Sequence, residues 1–273
     1  MALVPFPNKV QRSAEPEPDW DDDPEPEEGG KMSFLEHLDE LRKRIIRALI
    51  GVVAGFGIAC FFLDELFDFV MGPMQRLLAP GQQLIYTEPT EALMLYLKLA
   101  LIAGLLLASP IVMTQVWMFI APGLYTHEKK LAIPFVVLSS VCLVVGAAFA
   151  HYIVFPLTWT FFASFASDTI TFAPRIEPAF ALYMKLVIIF GLIFQMPTLV
   201  LFLARMGLVT AKFLIKNMKY AILIMFIVGA VLSPGTDPIG QAAMAGPMFV
   251  LYLISIVLAW VFGKRKKPAE ESA

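Results

Sequence analysis

Four carboxylates beside bases, at the edges of apolar runs, are the residues of this sequence best suited to chemistry. Glu36, Asp39 and Glu40 lie in SFLEHLDELRKR, just ahead of the first apolar run, and Glu128 lies in FIAPGLYTHEKK, between the second and third. An ionised carboxylate accepts hydrogen bonds and pairs with cations, so these residues could take up a positively charged ligand. Each also has a local role open to it. Ser33 followed by Glu36 has the spacing of a capping box at a helix start. Asp39 and Lys43 are four residues apart, as are Glu40 and Arg44, the helical spacing of surface pairs worth about 0.2–0.5 kcal/mol. Glu128 can neutralise Lys129. Spacing alone leaves Glu40 and Glu128 open between local pairing and ligand binding.

Other chemistry lacks its residues. The three histidines are His37, His127 and His151. His127-Glu128 opens like a zinc-protease motif, but Leu131 stands where the second histidine is needed. There is no glycine-rich phosphate loop, no GxSxG and no cysteine cluster for a metal, so neither a cofactor nor a metal is expected. Cys60 and Cys142 lie in apolar runs and read as small buried hydrophobes rather than a disulfide. A small-molecule or ion secondary transporter is the competing class, because transporters place polar groups at the midplane between repeats. Here the apolar runs are poor in charge, no internal repeat is evident, and Gln195 is the main deep polar residue.

The elements that must hold these carboxylates are membrane helices. The chain is 58% hydrophobic and 16% charged, with a mean hydropathy of +0.73, well outside the range of soluble domains. Six spans are expected, near 45–63, 93–117, 131–155, 179–203, 217–232 and 239–262, the fifth of them short. Ahead of the first, Phe34, Leu38, Leu41 and Ile45 form one apolar stripe at helical spacing. Pro110, Pro134, Pro156, Pro197 and Pro247 predict kinks, and with them an all-α, concave bundle. Residues 64–91 read as interfacial helices on the outer face, and 157–178 as an aromatic outer segment. Residues 1–31, with nine acids and three bases, form an acidic tail too polar to fold alone. A membrane domain over 32–263 and a basic tail over 264–273 complete the organisation. Lysines and arginines concentrate before span one, between spans two and three, between spans four and five, and after span six. That bias puts both termini in the cytoplasm.

Several stretches together resemble one family. FLEHLDELRKR, QVWMFIAPGLYTHEKK, HYIVFPL (His151–Leu157) and FQMP in span four are similar, in order and in placement around six spans, to TatC, the polytopic subunit of the twin-arginine protein translocase. The resemblance runs from about Met32 to about Phe262. It implies a receptor and core subunit in the bacterial inner membrane that binds the twin-arginine signal peptides of folded proteins at the cytoplasmic face. Glu40 and Glu128 fall on the glutamates that take the arginines. Arg42 and Phe119 fall beside them, in the same motifs. Pro73 and Asp237 match outer positions that the family uses. Gln195 stands where the family often has glutamate; it keeps a hydrogen-bonding group but does not titrate, which puts a proton-linked role there in doubt.

The chemistry fits the implied role. A guanidinium is planar, always charged and matched to a carboxylate, so two glutamates can discriminate two arginines. No bond is made or broken, so binding and transport are expected rather than catalysis. Six helices alone cannot enclose a path for a folded cargo. The resemblance therefore implies single-span TatA and TatB partners and self-association in a multimeric complex, with no nucleic acid involved.

Overall fold

Apolar runs interrupted by prolines fold here as a series of broken helices. The computed structural model describes residues 34–76, 78, 84–120, 132–167, 172–232 and 238–263. The chain divides into two units, residues 1–39 and 40–273; of the first, only the opening turns of helix α1 (Phe34–Cys60) are described. The chain bends by 86° into α2 (Leu63–Arg76). It continues through α3 (Pro89–Leu107), α4 (Ser109–Ile120), α5 (Ala132–Phe149), one π-helical turn (Ala150–Val154) and α6 (Phe155–Ala163). The remainder is α7 (Ile176–Ile193), α8 (Met196–Arg205), α9 (Ala211–Lys216), α10 (Met218–Leu232) and α11 (Pro238–Phe262).

Four segments are long and apolar enough to cross a membrane unaided: Pro89–Leu107, Ile133–Ala163, Ile176–Arg205 and Gly240–Phe262. Counted as one, the bent pair α1–α2 adds a fifth, and α10, apolar but only 15 residues long, covers the short span expected over 217–232. Only 33–39% of the residues in the apolar windows of the four long segments are buried within the molecule. The rest are large apolar side chains such as Leu101, Val137, Leu192 and Val257, an arrangement that suits hydrocarbon as solvent and not water.

Three of the five prolines expected to kink a span interrupt one. Pro110 follows the break at Ala108, and Pro197 follows the break at Phe194–Gln195. Each lacks the N–H that the carbonyl four residues earlier would otherwise accept. Pro156 follows the π turn, in which Phe155 N–H reaches back to the carbonyl of Ala150. Because the π turn absorbs Pro156, span three does not end near 155 as expected but runs on to Ala163. Pro134 falls in the first turn of α5, where no donor is required, and Pro247 lies within the continuous α11. Cys60 also departs from expectation, being exposed at the end of α1, while Cys142 is half-buried; both are free thiols.

The segments ahead of α3 and α7 are tied by charge and by one short backbone pairing. Ile85 and Arg175 form an isolated parallel bridge, with Ile176 N–H donating to the Ile85 carbonyl at 2.8 Å. Arg175 donates to the buried Glu91 carboxylate, which also accepts from the Thr87 hydroxyl at 3.0 Å. That hydrogen bond raises the guanidinium pKa still further above its ordinary value, so Arg175 stays charged.

Helix α1 is seated on α3 and α4 through small residues. Gly51, Gly55 and the buried Ala59 recur every four residues along one face. A Cβ on Gly55 would stand 2.4 Å from the Gly104 carbonyl oxygen, and one on Gly104 would stand 2.4 Å from the Phe56 nitrogen. Only glycine permits this backbone contact. Gly55→Val and Gly104→Val should each destabilise the solubilised protein by at least about 1–3 kcal/mol, whereas Gly57→Ala, into open space, should be neutral. Thermal midpoints in detergent check this; equal midpoints for all three variants would show that the contact is dispensable.

Candidate functional site

Near the start of α1 one charged pair is sheltered while the apolar stripe is largely exposed. Leu38 and Ile45 of the apolar stripe are exposed, and Leu41 is half-buried. Glu40 and Arg44, on another side of the helix, keep only 19% and 15% of their side-chain surface. This suits a lipid-facing helix: hydrocarbon accepts leucine and isoleucine, and this one charged pair is sheltered against protein.

Glu40 is paired within its own helix. Arg44 Nη2 donates to Glu40 Oε1 at 3.0 Å, and Arg44 Nη1 approaches the Met118 sulfur of α4 at 3.4 Å. Of the two alternatives that spacing left open, the local pair is therefore formed, but it is incomplete. Among the described residues, Glu40 Oε2 and Arg44 Nε are buried without a hydrogen-bond partner, as is Gln115 Oε1 on α4. Buried polar atoms without partners are uncommon in native structures, and here three of them lie on the two helices that carry the site. A carboxylate with one bonded oxygen and one without a partner among the described residues has acceptor capacity that Arg44 does not use.

The end of α4 that meets Arg44 is held rigidly from behind. Trp117, next in sequence to Met118, is buried against Phe135 of α5 and Phe202 of α8, with ring centroids 5.1 and 4.9 Å away. Its indole N–H donates to Ser139 Oγ at 2.7 Å. Gln195 lies at the α7–α8 break, where its Nε2 donates to the Ser139 carbonyl at 2.9 Å. Residue 139 thus ties α4 to the α7–α8 joint across α5. Gln195 is linked to the site through Ser139 and Trp117 rather than by touching it.

The other expected site residues are distributed as follows. Arg42 is exposed on α1, and Phe119 is half-buried as the penultimate residue of α4. Glu128 and Asp237 lie outside the described residues. Pro73 sits within α2, beyond the stretch of α1 from Glu40 to Cys60, roughly 30 Å at 1.5 Å per residue. It lines a cavity of about 490 Å³ together with Asp68, Arg76, His151 and Tyr152. There the buried His151 stacks on Phe69 and lies 3.1 Å from the Tyr183 hydroxyl. Sequence reading passed over Met118, Trp117 and Ser139. The motif QVWMF contained the first two, and a tryptophan in an apolar run carries an N–H that must find an acceptor when buried.

Comparison with known proteins places this geometry. Residues 36–247 match the family described as Sec-independent protein translocase protein (TatC). The Sec-independent protein translocase protein TatC of Desulforapulum autotrophicum is 44% identical over 89% of this chain and 90% of its own. That of Aquifex aeolicus is 35% identical over 88% of this chain and 100% of its own. A crystal structure of the twin arginine translocase receptor TatC superposes with a TM-score of 0.71 at 37% identity, covering 82% of this chain and 98% of that one.

The Ser139 link yields a double-mutant test. Trp117→Phe and Ser139→Ala remove the same bond, so their destabilisations of about 1 kcal/mol each should fail to add. Gln195→Leu removes a different bond, to the backbone, and should add to Ser139→Ala. Thermal denaturation in detergent decides; full additivity of the first pair would show that the indole bond contributes nothing.

Proposed function

We propose, starting from the fact that this chain belongs to the TatC family of Sec-independent protein translocases, that it receives signal peptides carrying two adjacent arginines, with Glu40 and Glu128 as the arginine-binding carboxylates. It is a multi-pass membrane protein. The observation that carries the proposal is Glu40 Oε2, a buried carboxylate oxygen without a partner among the described residues. An arginine is the side chain whose donors best match such an acceptor. Glu128 joins by its place in the YTHEKK motif, eight residues after the end of α4, the helix that packs on Arg44. Arg42 and Phe119 flank the two carboxylates. The apolar part of the peptide would lie against the apolar surfaces of the helices, which the bilayer otherwise covers.

In this reading the charge bias sets the topology: both termini cytoplasmic, in the inner membrane of a bacterium, with tails 1–31 and 264–273 flanking the membrane domain 32–263. The receptor holds and positions cargo without making or breaking bonds. Single-span TatA- and TatB-type subunits and further copies of the chain would build the path for folded cargo. Gln195 supports the binding end of α4, and Pro73 and Asp237 act on the outer side.

Two measurements test this. A charge-assisted hydrogen bond is worth roughly a tenfold to hundredfold change in affinity. Glu40→Gln and Glu128→Gln should therefore each weaken binding of a twin-arginine peptide by about that factor at an unchanged amount of inserted protein. Replacing the peptide's arginines by lysine should cost affinity in wild type and much less in the double glutamine variant. An equal cost in both backgrounds would show that these glutamates do not read the arginines. For topology, single cysteines at Ala79, Ser167 and Ala273, in a background lacking Cys60 and Cys142, should label from outside at the first two positions; external labelling at Ala273 would overturn the orientation.

A further inference from the structure

We infer that Arg44 is a specificity-determining residue of this site: it occupies Glu40 as an internal stand-in for a signal-peptide arginine, and only a guanidinium able to engage both carboxylate oxygens displaces it. The inference rests on the proposed function and adds the rule by which the site chooses.

The argument starts from how poorly Arg44 is satisfied. A guanidinium has five N–H donors in a planar fork, and its strongest mode with a carboxylate is two parallel bonds, one to each oxygen. Arg44 achieves one of the two. Nη2 reaches Glu40 Oε1 at 3.0 Å, Nη1 is turned toward the Met118 sulfur at 3.4 Å, and Nε is buried with no partner among the described residues. A thioether is a weak acceptor. The second oxygen of Glu40 is likewise buried with no partner among the described residues.

The cause is geometric. Arg44 and Glu40 are one helical turn apart on the same helix, and Met118 meets the guanidinium from α4. Arg44 therefore approaches the carboxylate from one side only. An arginine arriving on a separate chain has no such tether and can present its fork to both oxygens. The exchange replaces a one-bond pair by a two-bond pair on the same carboxylate, so it runs toward the ligand, while the released Arg44 can move outward toward water and lipid phosphate.

Lysine does not drive this exchange. Its ammonium is a compact point charge that is more strongly hydrated than a guanidinium and lacks the planar fork. Against an empty glutamate, lysine and arginine would both gain charge attraction. Against a glutamate already holding an arginine, lysine must give up more hydration to replace a bond at least as good as its own. Arg44 therefore lowers affinity for every cationic peptide but lowers it most for the wrong one, which is how competition creates specificity.

The experiment measures binding of twin-arginine and twin-lysine versions of one signal peptide to detergent-solubilised full-length protein: wild type, Arg44→Met, Glu40→Gln and the double variant. The expected result is that Arg44→Met binds the twin-arginine peptide about tenfold tighter. It should bind the twin-lysine peptide tighter by a larger factor, so that discrimination between the two shrinks. In the Glu40→Gln background the Arg44 substitution should have no effect. If Arg44→Met does not insert, Arg44→Lys keeps the charge, removes the fork and should show the same direction of change. Weaker binding by either Arg44 variant, or unchanged discrimination, overturns the inference while leaving the receptor reading intact. Binding indifferent to Glu40→Gln overturns both.

Discussion

The contact on which the site depends is the backbone crossing of Gly55 against Gly104. Helices in hydrocarbon gain nothing from hiding apolar surface from one another, because lipid tails are as apolar as leucine. What holds them is close van der Waals packing, and that needs residues without side chains at the crossing. With Gly51, Gly55 and Ala59 in line on α1, the register of α1 against α3 and α4 is fixed. That register brings Arg44 to Met118 two turns from Gly51, which itself lies against Ile111. A slip of one turn would carry the Glu40–Arg44 pair away from the end of α4.

A rigid frame and an incompletely bonded site complement one another. The aromatic cluster of Trp117, Phe135 and Phe202 and the two bonds converging on residue 139 leave α4 little freedom. Against that fixed wall stand a carboxylate oxygen and a guanidinium nitrogen, each without a partner among the described residues. Desolvation makes both costly, and that cost favours an incoming ligand that pairs with them. The same groups in water would be satisfied by solvent and would show little preference among cations.

Much of this was legible in the residues. Helix count, the short fifth span and the breaks before Pro110 and Pro197 follow from local apolarity and a missing backbone donor, which a sequence displays directly. Glu40 was legible as a carboxylate with two possible uses, and the motif order pointed to the family. Three things were not legible. The partial burial of Glu40 and Arg44 depends on which neighbour the helix meets. The π turn that carries span three past Pro156 is a response to packing around Ala150 and Phe155, both fully buried. The Ser139 link joins residues 22 and 56 positions away, and no spacing rule reaches that far.

The clasp between Glu91 and Arg175 has a consequence for biogenesis. The two residues are 84 positions apart, with spans two and three between them. At a translation rate of about 5–20 residues per second, Glu91 leaves the ribosome roughly 4–17 s before Arg175 does. For that interval the nascent chain carries a carboxylate at the mouth of span two with only Thr87 beside it. The bond can form only once Arg175 has been made. Its closure can therefore join the two ends of the α3–α6 segment before spans five and six have been made.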